Sequence, residues 1–163
     1  MSRLLIAALL LAASSLTASA QWVSEKEGGA FDDDATHLAV TVAGDYVFGL
    51  RCRSDNLEAV FITPEKIDDP KDVEAMNTVG AKLRVRADKG EILVFDAVAH
   101  EVKGTLGIVA EVDEDLFLEV MDADSSISVV ITMKGENFHE TKFNARGSTK
   151  ALEEVADGCG ISY

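Results

Sequence analysis

Between Leu38 and Asn144 the chain is cut into short runs of alternating or β-branched residues, separated by compact turn signals. That punctuation limits the fold more than any other feature, because closely spaced strands joined by tight turns pair as antiparallel hairpins. Leu38-Ala39-Val40-Thr41-Val42 alternates, Gly44-Asp45 turns the chain, and Tyr46 to Arg53 follows. Ser54-Asp55-Asn56 is the next turn, and Leu57 to Thr63 the third strand. Further on, Ala81 to Arg86 alternates with Leu83 and Val85 facing inward and the basic side chains outward. Asp88-Lys89-Gly90 is a hairpin turn into Ile92–Ala99, a nearly all-apolar run that reads as deeply buried. Thr105–Glu111, Ser126–Met133 and Phe138–Asn144 complete the strands, with Lys134-Gly135-Glu136-Asn137 turning between the last two.

Three segments break the pattern. Gln21 to Thr36 reads as an irregular lead-in, with Trp22 packing onto the domain as an anchor. Pro64 to Val79 contains both prolines and reads as a surface loop with at most one helical turn. Val112 to Met121 reads as a helix, with Asp113 as N-cap and Glu114 and Asp115 in the first turn, although the same letters also fit a strand. A short helix over Thr149–Ala156 is expected after Gly147-Ser148, closed by Asp157-Gly158. The expected fold is mainly β: an antiparallel β-sandwich or flattened barrel with one or two short helices and one disulfide.

The chain's 163 residues divide into residues 1–20, read as a secretory signal peptide, and 21–163, one exported β-rich domain. Arg3 supplies the positive start, Leu4 to Ala13 the apolar stretch, and Ala18-Ser19-Ala20 the small residues of a cleavage site. The apolar stretch falls short of the ~20 residues that span a bilayer, and no later run reaches that length. No membrane span is expected after cleavage, and the expected location is the periplasm or the exterior of a Gram-negative bacterium. In an oxidising compartment the two cysteines, Cys52 and Cys159, read as a disulfide.

A formal charge of −14, which loses one further positive charge with Arg3, excludes nucleic acid as a natural partner and favours cationic ones. Gly-x-Ser-x-Gly and phosphate-binding loop motifs are missing, and His37, His100 and His139 are scattered without metal-ligand spacing. The adjacent Asp32, Asp33 and Asp34 lack the glycine-centred spacing of a calcium loop. The chain is therefore read as a non-enzyme without metal or cofactor. The candidate partner-binding residues are Asp32, Asp33 and Asp34 in the lead-in and Asp68, Asp69 and Asp72 in the proline-bearing segment. Two functions fit: a non-catalytic binding or accessory protein of the cell envelope with a protein partner, or an inhibitor of a cationic hydrolase such as lysozyme.

Several short motifs recur in the order of a known family. They are Leu50-Arg51-Cys52, Glu58-Ala59-Val60-Phe61-Ile62, Arg84-Val85-Arg86-Ala87-Asp88, Phe143-x-x-x-Gly147, Ala151-Leu152 and Cys159, with Trp22 and Asp32-Asp33 ahead of them. The chain in this respect resembles the VasI-like family of periplasmic proteins associated with type VI secretion. The resemblance implies the Cys52–Cys159 pairing, a final helix and a secretion-associated role, and brings no catalytic residues.

Overall fold

The structure, a computed structural model, describes residues 21–28, 35–53 and 56–163. The expected signal peptide, Asp32, Asp33, Asp34 and the Ser54-Asp55 part of a turn lie outside those residues. In chain order the elements are β1 (Val23–Glu27), β2 (Thr36–Ala43), β3 (Tyr46–Arg53), β4 (Asn56–Lys66), α1 (Pro70–Val79), β5 (Ala81–Ala87) and β6 (Leu93–Val102). They continue with β7 (Thr105–Glu111), α2 (Glu114–Met121), β8 (Ser126–Met133), β9 (Glu136–Asn144) and α3 (Ser148–Cys159).

All the strands join one antiparallel sheet in the order β1-β2-β3-β4-β7-β6-β5-β8-β9. The first four form a meander. The crossover through α1 drops β5 three places away, and β6 and β7 walk back to meet β4. The connection through α2 then places β8 and β9 beyond β5. The sheet curls so that its inner side wraps one core, in which Phe48, Phe61, Phe117, Phe143, Leu50 and Leu152 are fully buried. Its two ends meet at Trp22, whose backbone N–H donates to Arg146 O at 3.3 Å and whose indole Nε1 donates to Asn144 O at 3.1 Å. The same indole sits edge-on to Phe48, centroids 6.0 Å apart, so the expected anchor is found. Among the described residues this is the mainly-β, antiparallel, flattened-barrel architecture, built as a single curled sheet with three helices.

The disulfide joins Cys52 in β3 to Cys159 at the end of α3, with Cα atoms 6.3 Å apart. It needs α3 to run past the expected stop at Gly158. A helix-interior glycine costs about 1 kcal/mol relative to alanine, but a Cβ at Gly158 would lie 2.2 Å from the His37 ring. His37 is the β2 residue directly opposite Cys52. The missing side chain thus lets the last turn of α3 close on β2 and carry Cys159 to its partner.

Other expectations change. The polar lead-in forms β1, an edge strand whose side chains are mostly exposed and which therefore carries no hydrophobic signature. The proline-bearing segment is not a loop: β4 extends through Pro64 to Lys66, and α1 spans Pro70–Val79. Pro64 is tolerated because pairing with β7 is irregular between Ile62 and Lys66, where no ladder bond is required of its nitrogen. Pro70 begins the helix, where its fixed φ and missing N–H are an advantage. The segment expected as a helix over Val112–Met121 holds α2 over Glu114–Met121: Asp113 accepts from Leu116 N at 3.0 Å, and Leu116, Phe117, Val120 and Met121 are buried.

The inner edge of α1 repairs the sheet. Pairing of β5 with β6 ends at Ala81 opposite Ala97, so the backbone of Ala99 faces no strand on that side. The Asn77 side chain takes the strand's place, donating to Ala99 O at 3.0 Å and accepting from Ala99 N at 2.7 Å.

Candidate partner-binding face

Side chains alternate across a strand, so the residues between the core positions share the opposite, outer face. On that face the register lines up Val23, Val40, Gly49, Val60, Val109 and Val98, each directly opposite the next across six neighbouring strands. A parallel row contains Val42, Val47, Ile62, Gly107 and His100. Ile92–Ala99 was expected to be deeply buried, but β6 alternates, and Val98 is 49 % exposed. Val23 and Val42 are 57 % and 47 % exposed. Isolated surface valines need no explanation, whereas contiguous exposed apolar surface marks an interaction site.

The face is not flat. A groove of about 370 Å³ crosses β2, β3, β4, β7 and β6, with Val40, Val60, Val109 and His100 in its lining. Glycine makes it possible. A Cβ at Gly49 would stand 2.6 Å from Ala39 O and from Val40 Cγ1, and one at Gly107 would stand 2.7 Å from Val102 Cγ2. Without side chains there, valines of adjacent strands lean over the backbone and the sheet dips.

Charge gathers on one flank. Glu25 lies opposite Leu38, Leu38 opposite Arg51, Arg51 opposite Glu58, and Glu58 opposite Glu111. The Arg51 Nε donates to Glu58 Oε2 at 2.6 Å, but both side chains are partly exposed, so the pair contributes little to stability. One guanidinium against three carboxylates leaves that flank negative.

A second polar grouping closes the barrel mouth. The β8–β9 register shifts between Val129 and Ile131, and His139 in the bulge adopts a left-handed backbone, φ 54°. This turns its ring toward β3 and β4. Nε2 meets Glu65 Oε2 at 2.5 Å, Nδ1 meets the Tyr46 hydroxyl at 3.3 Å, and Tyr46 stacks on Phe61. Both ring nitrogens are therefore occupied by a carboxylate and a phenol, which suits a latch from the edge strand β9 across the core opening to β3 and β4. His37 lies under α3 and His100 in the outer groove, so the three histidines stay apart. Among the described residues no group of three or more His, Cys, Asp or Glu could hold a metal ion, and no helix is long and apolar enough to cross a membrane.

The structure gathers Asp68, Asp69 and Asp72 at the start of α1, all exposed. Asp69 is the N-cap, accepting from Lys71 N at 2.9 Å, and Asp72 lies in the first turn. Their positions match the helix dipole. The valine rows escaped the sequence reading, although a signal existed: strands such as Leu38–Val42 and Val60–Ile62 are apolar at both parities. A both-faced apolar strand either lies between two covered layers or leaves an apolar face open.

No family model matches the chain, and no curated protein matches it significantly. Among solved structures, the fold is similar to that of invasion associated protein B from Bartonella henselae, with a TM-score of 0.54 and 11 % identity, over 85 % of this chain and 94 % of that one. At that identity the likeness concerns the fold.

Proposed function

We propose that this is a non-catalytic binding protein of the cell envelope that holds a protein partner on the outer face of its sheet. The observation that carries the reading is the unbroken row from Val23 to Val98, apolar, partly exposed and dipped at Gly49. The acidic flank and the overall charge of −14 favour a partner with an apolar surface bordered by basic residues. An extracytoplasmic setting is supported by the leader-like residues 1–20 and by the disulfide, a bond that persists in oxidising compartments. The resemblance to the VasI-like family, and a neighbour in fold named for its association with invasion, both agree with work at the cell envelope.

The test is cross-linking of the oxidised, leader-free protein in a periplasmic extract, compared with Val42→Glu/Val98→Glu. Both positions are about half exposed, so the variant retains its fold, checked by circular dichroism. The expected result is a specific adduct that the double variant loses and Asp68→Asn/Asp72→Asn keeps. An adduct indifferent to the valine changes, or lost only with the aspartates, would overturn the reading. Inhibition of added lysozyme that disappears with salt would favour the hydrolase-inhibitor reading instead.

A further inference from the structure

At the far end of the outer face the charge reverses. On β5, Arg84 and Arg86 both point outward, and cross-strand neighbours complete the setting. Arg84 stands between Val94 and Val130, Arg86 stands opposite Ser128, and Ser128 stands opposite Lys142. A hollow of about 160 Å³ opens here, lined by Arg84, Arg86, Ser128, Asn137, Glu140 and Ile92 among others. Acids outnumber bases 29 to 15 in this chain, so a basic side chain has many carboxylates to pair with. Yet among the described residues neither arginine has a carboxylate within 4.0 Å, and Arg84 is half-buried. Arg84 therefore presents its charge from a half-buried position with no ion-pair partner, and an anion in the hollow would supply one.

We propose that this hollow is a binding site for an oxyanion, a phosphate or carboxylate group on a small molecule. The chemistry follows from the side chains. Arginine offers a planar fork of donors matched to carboxylate and phosphate. Two forks two residues apart on one strand start about 7 Å from each other, a span that lets both reach one tetrahedral or planar anion. The Ser128 hydroxyl adds a neutral donor beside Arg86. Ile92, 48 % exposed, and Val130 supply an apolar wall for the carbon atoms next to the anion. Lys142 adds a longer-range positive charge. Glu140 on the rim opposes binding, which makes it a control with a predicted sign. A free anion is favoured over a lipid headgroup, because a membrane of anionic lipid would repel the remainder of this acidic surface.

The experiment is titration of the oxidised, leader-free protein with inorganic phosphate and, separately, acetate, followed by amide chemical shifts. Saturable shifts confined to β5, β8 and β9 are expected. Arg86→Gln, at an exposed position, should weaken binding about tenfold, in line with the loss of one charge-assisted hydrogen bond. Glu140→Gln should tighten it, and Lys150→Gln on α3 should leave it unchanged. Shifts that never saturate, that spread over all basic residues, or that survive Arg86→Gln unchanged would overturn the proposal. Arg84→Lys retains charge and fold but loses the fork, and should weaken phosphate binding too. Flotation with phosphatidylglycerol vesicles separates the sources: no association is expected, and association abolished by Arg86→Gln would assign the anion to a lipid headgroup, against the free ligand proposed.

Discussion

Asn77→Ala should destabilise the protein far more than an exposed helix position normally would. The side chain makes both a donor and an acceptor bond to the backbone of Ala99, a residue only 1 % exposed. Removing it strands one N–H and one C=O where β6 has outrun β5. A net hydrogen bond contributes about 1 kcal/mol, and a stranded buried group costs about 1–3 kcal/mol. Truncation also opens a path for water, so the lower end applies, about 2 kcal/mol for the two groups together. At roughly 3–4 °C per kcal/mol for a domain of this size, the melting temperature should fall by about 6–8 °C. Asn77→Asp gives a sharper test. Its carboxylate can still accept from Ala99 N–H, but its other oxygen faces the Ala99 carbonyl. Folding therefore favours the protonated acid, and the folded pKa of the introduced carboxyl rises. The penalty is full at pH above that raised value, shrinks as pH falls below it, and is gone below the unfolded carboxyl value near 4, measured against wild type at each pH. Calorimetric melting and amide hydrogen exchange at Ala99 are the assays. A loss below about 0.5 kcal/mol in Asn77→Ala, the ordinary surface range, with an unchanged Ala99 exchange rate, would refute the strand-substitute role.

Three further outcomes are expected. Replacing both Cys52 and Cys159 by serine opens a loop of 107 residues. The chain-entropy model puts the upper limit of the loss at about 4.8 kcal/mol, to be read from urea midpoints with α3 exchange as the local probe. Asp88 accepts the Ser125 hydroxyl and the backbone N–H groups of Asp124, Ser125 and Ser126, which hold its carboxyl well below the usual carboxylate range. Its folded pKa is depressed, so its stabilisation is complete above about pH 5 and drains away as pH falls below the unfolded value near 4. Asp88→Asn should melt lower at neutral pH and converge with wild type in acid, and parallel melting curves from pH 7 to 2 would contradict this. For His139, the alanine variant should be less stable than the glycine variant by about 1 kcal/mol in urea, because both lose the Glu65 and Tyr46 contacts but only glycine accepts the left-handed backbone without strain.

How much of this was legible varied with how local the cause is. Leu83 and Val85 inward with Arg84 and Arg86 outward follow from alternation alone, and the structure places them so. Asp113 as N-cap of α2 is equally local. The α1 helix was hidden because Pro64 and Pro70 both read as breakers, though one sits where pairing lapses and the other at a helix start. Gly158 looked like a terminator, and its reason lies across the fold in His37. The outer valine rows exist only once β4 is known to pair with β7 rather than with β5. The hollow at Arg84 and Arg86 likewise needs β8 and β9 to be placed beside β5. Neither site is a property of any one segment.

The Cys52–Cys159 bond also sets a schedule. During synthesis Cys52 emerges 107 residues ahead of its partner. At about 5–20 residues per second it waits roughly 5–20 s as a free thiol. In that interval the β1–β4 meander can form, but α3 does not yet exist to cover Cys52 or to close over His37. Any oxidant or foreign disulfide that reaches the chain in those seconds meets an unguarded sulfur. The bond can close only after the C-terminal helix has been made, so it seals the fold late rather than guiding its first steps.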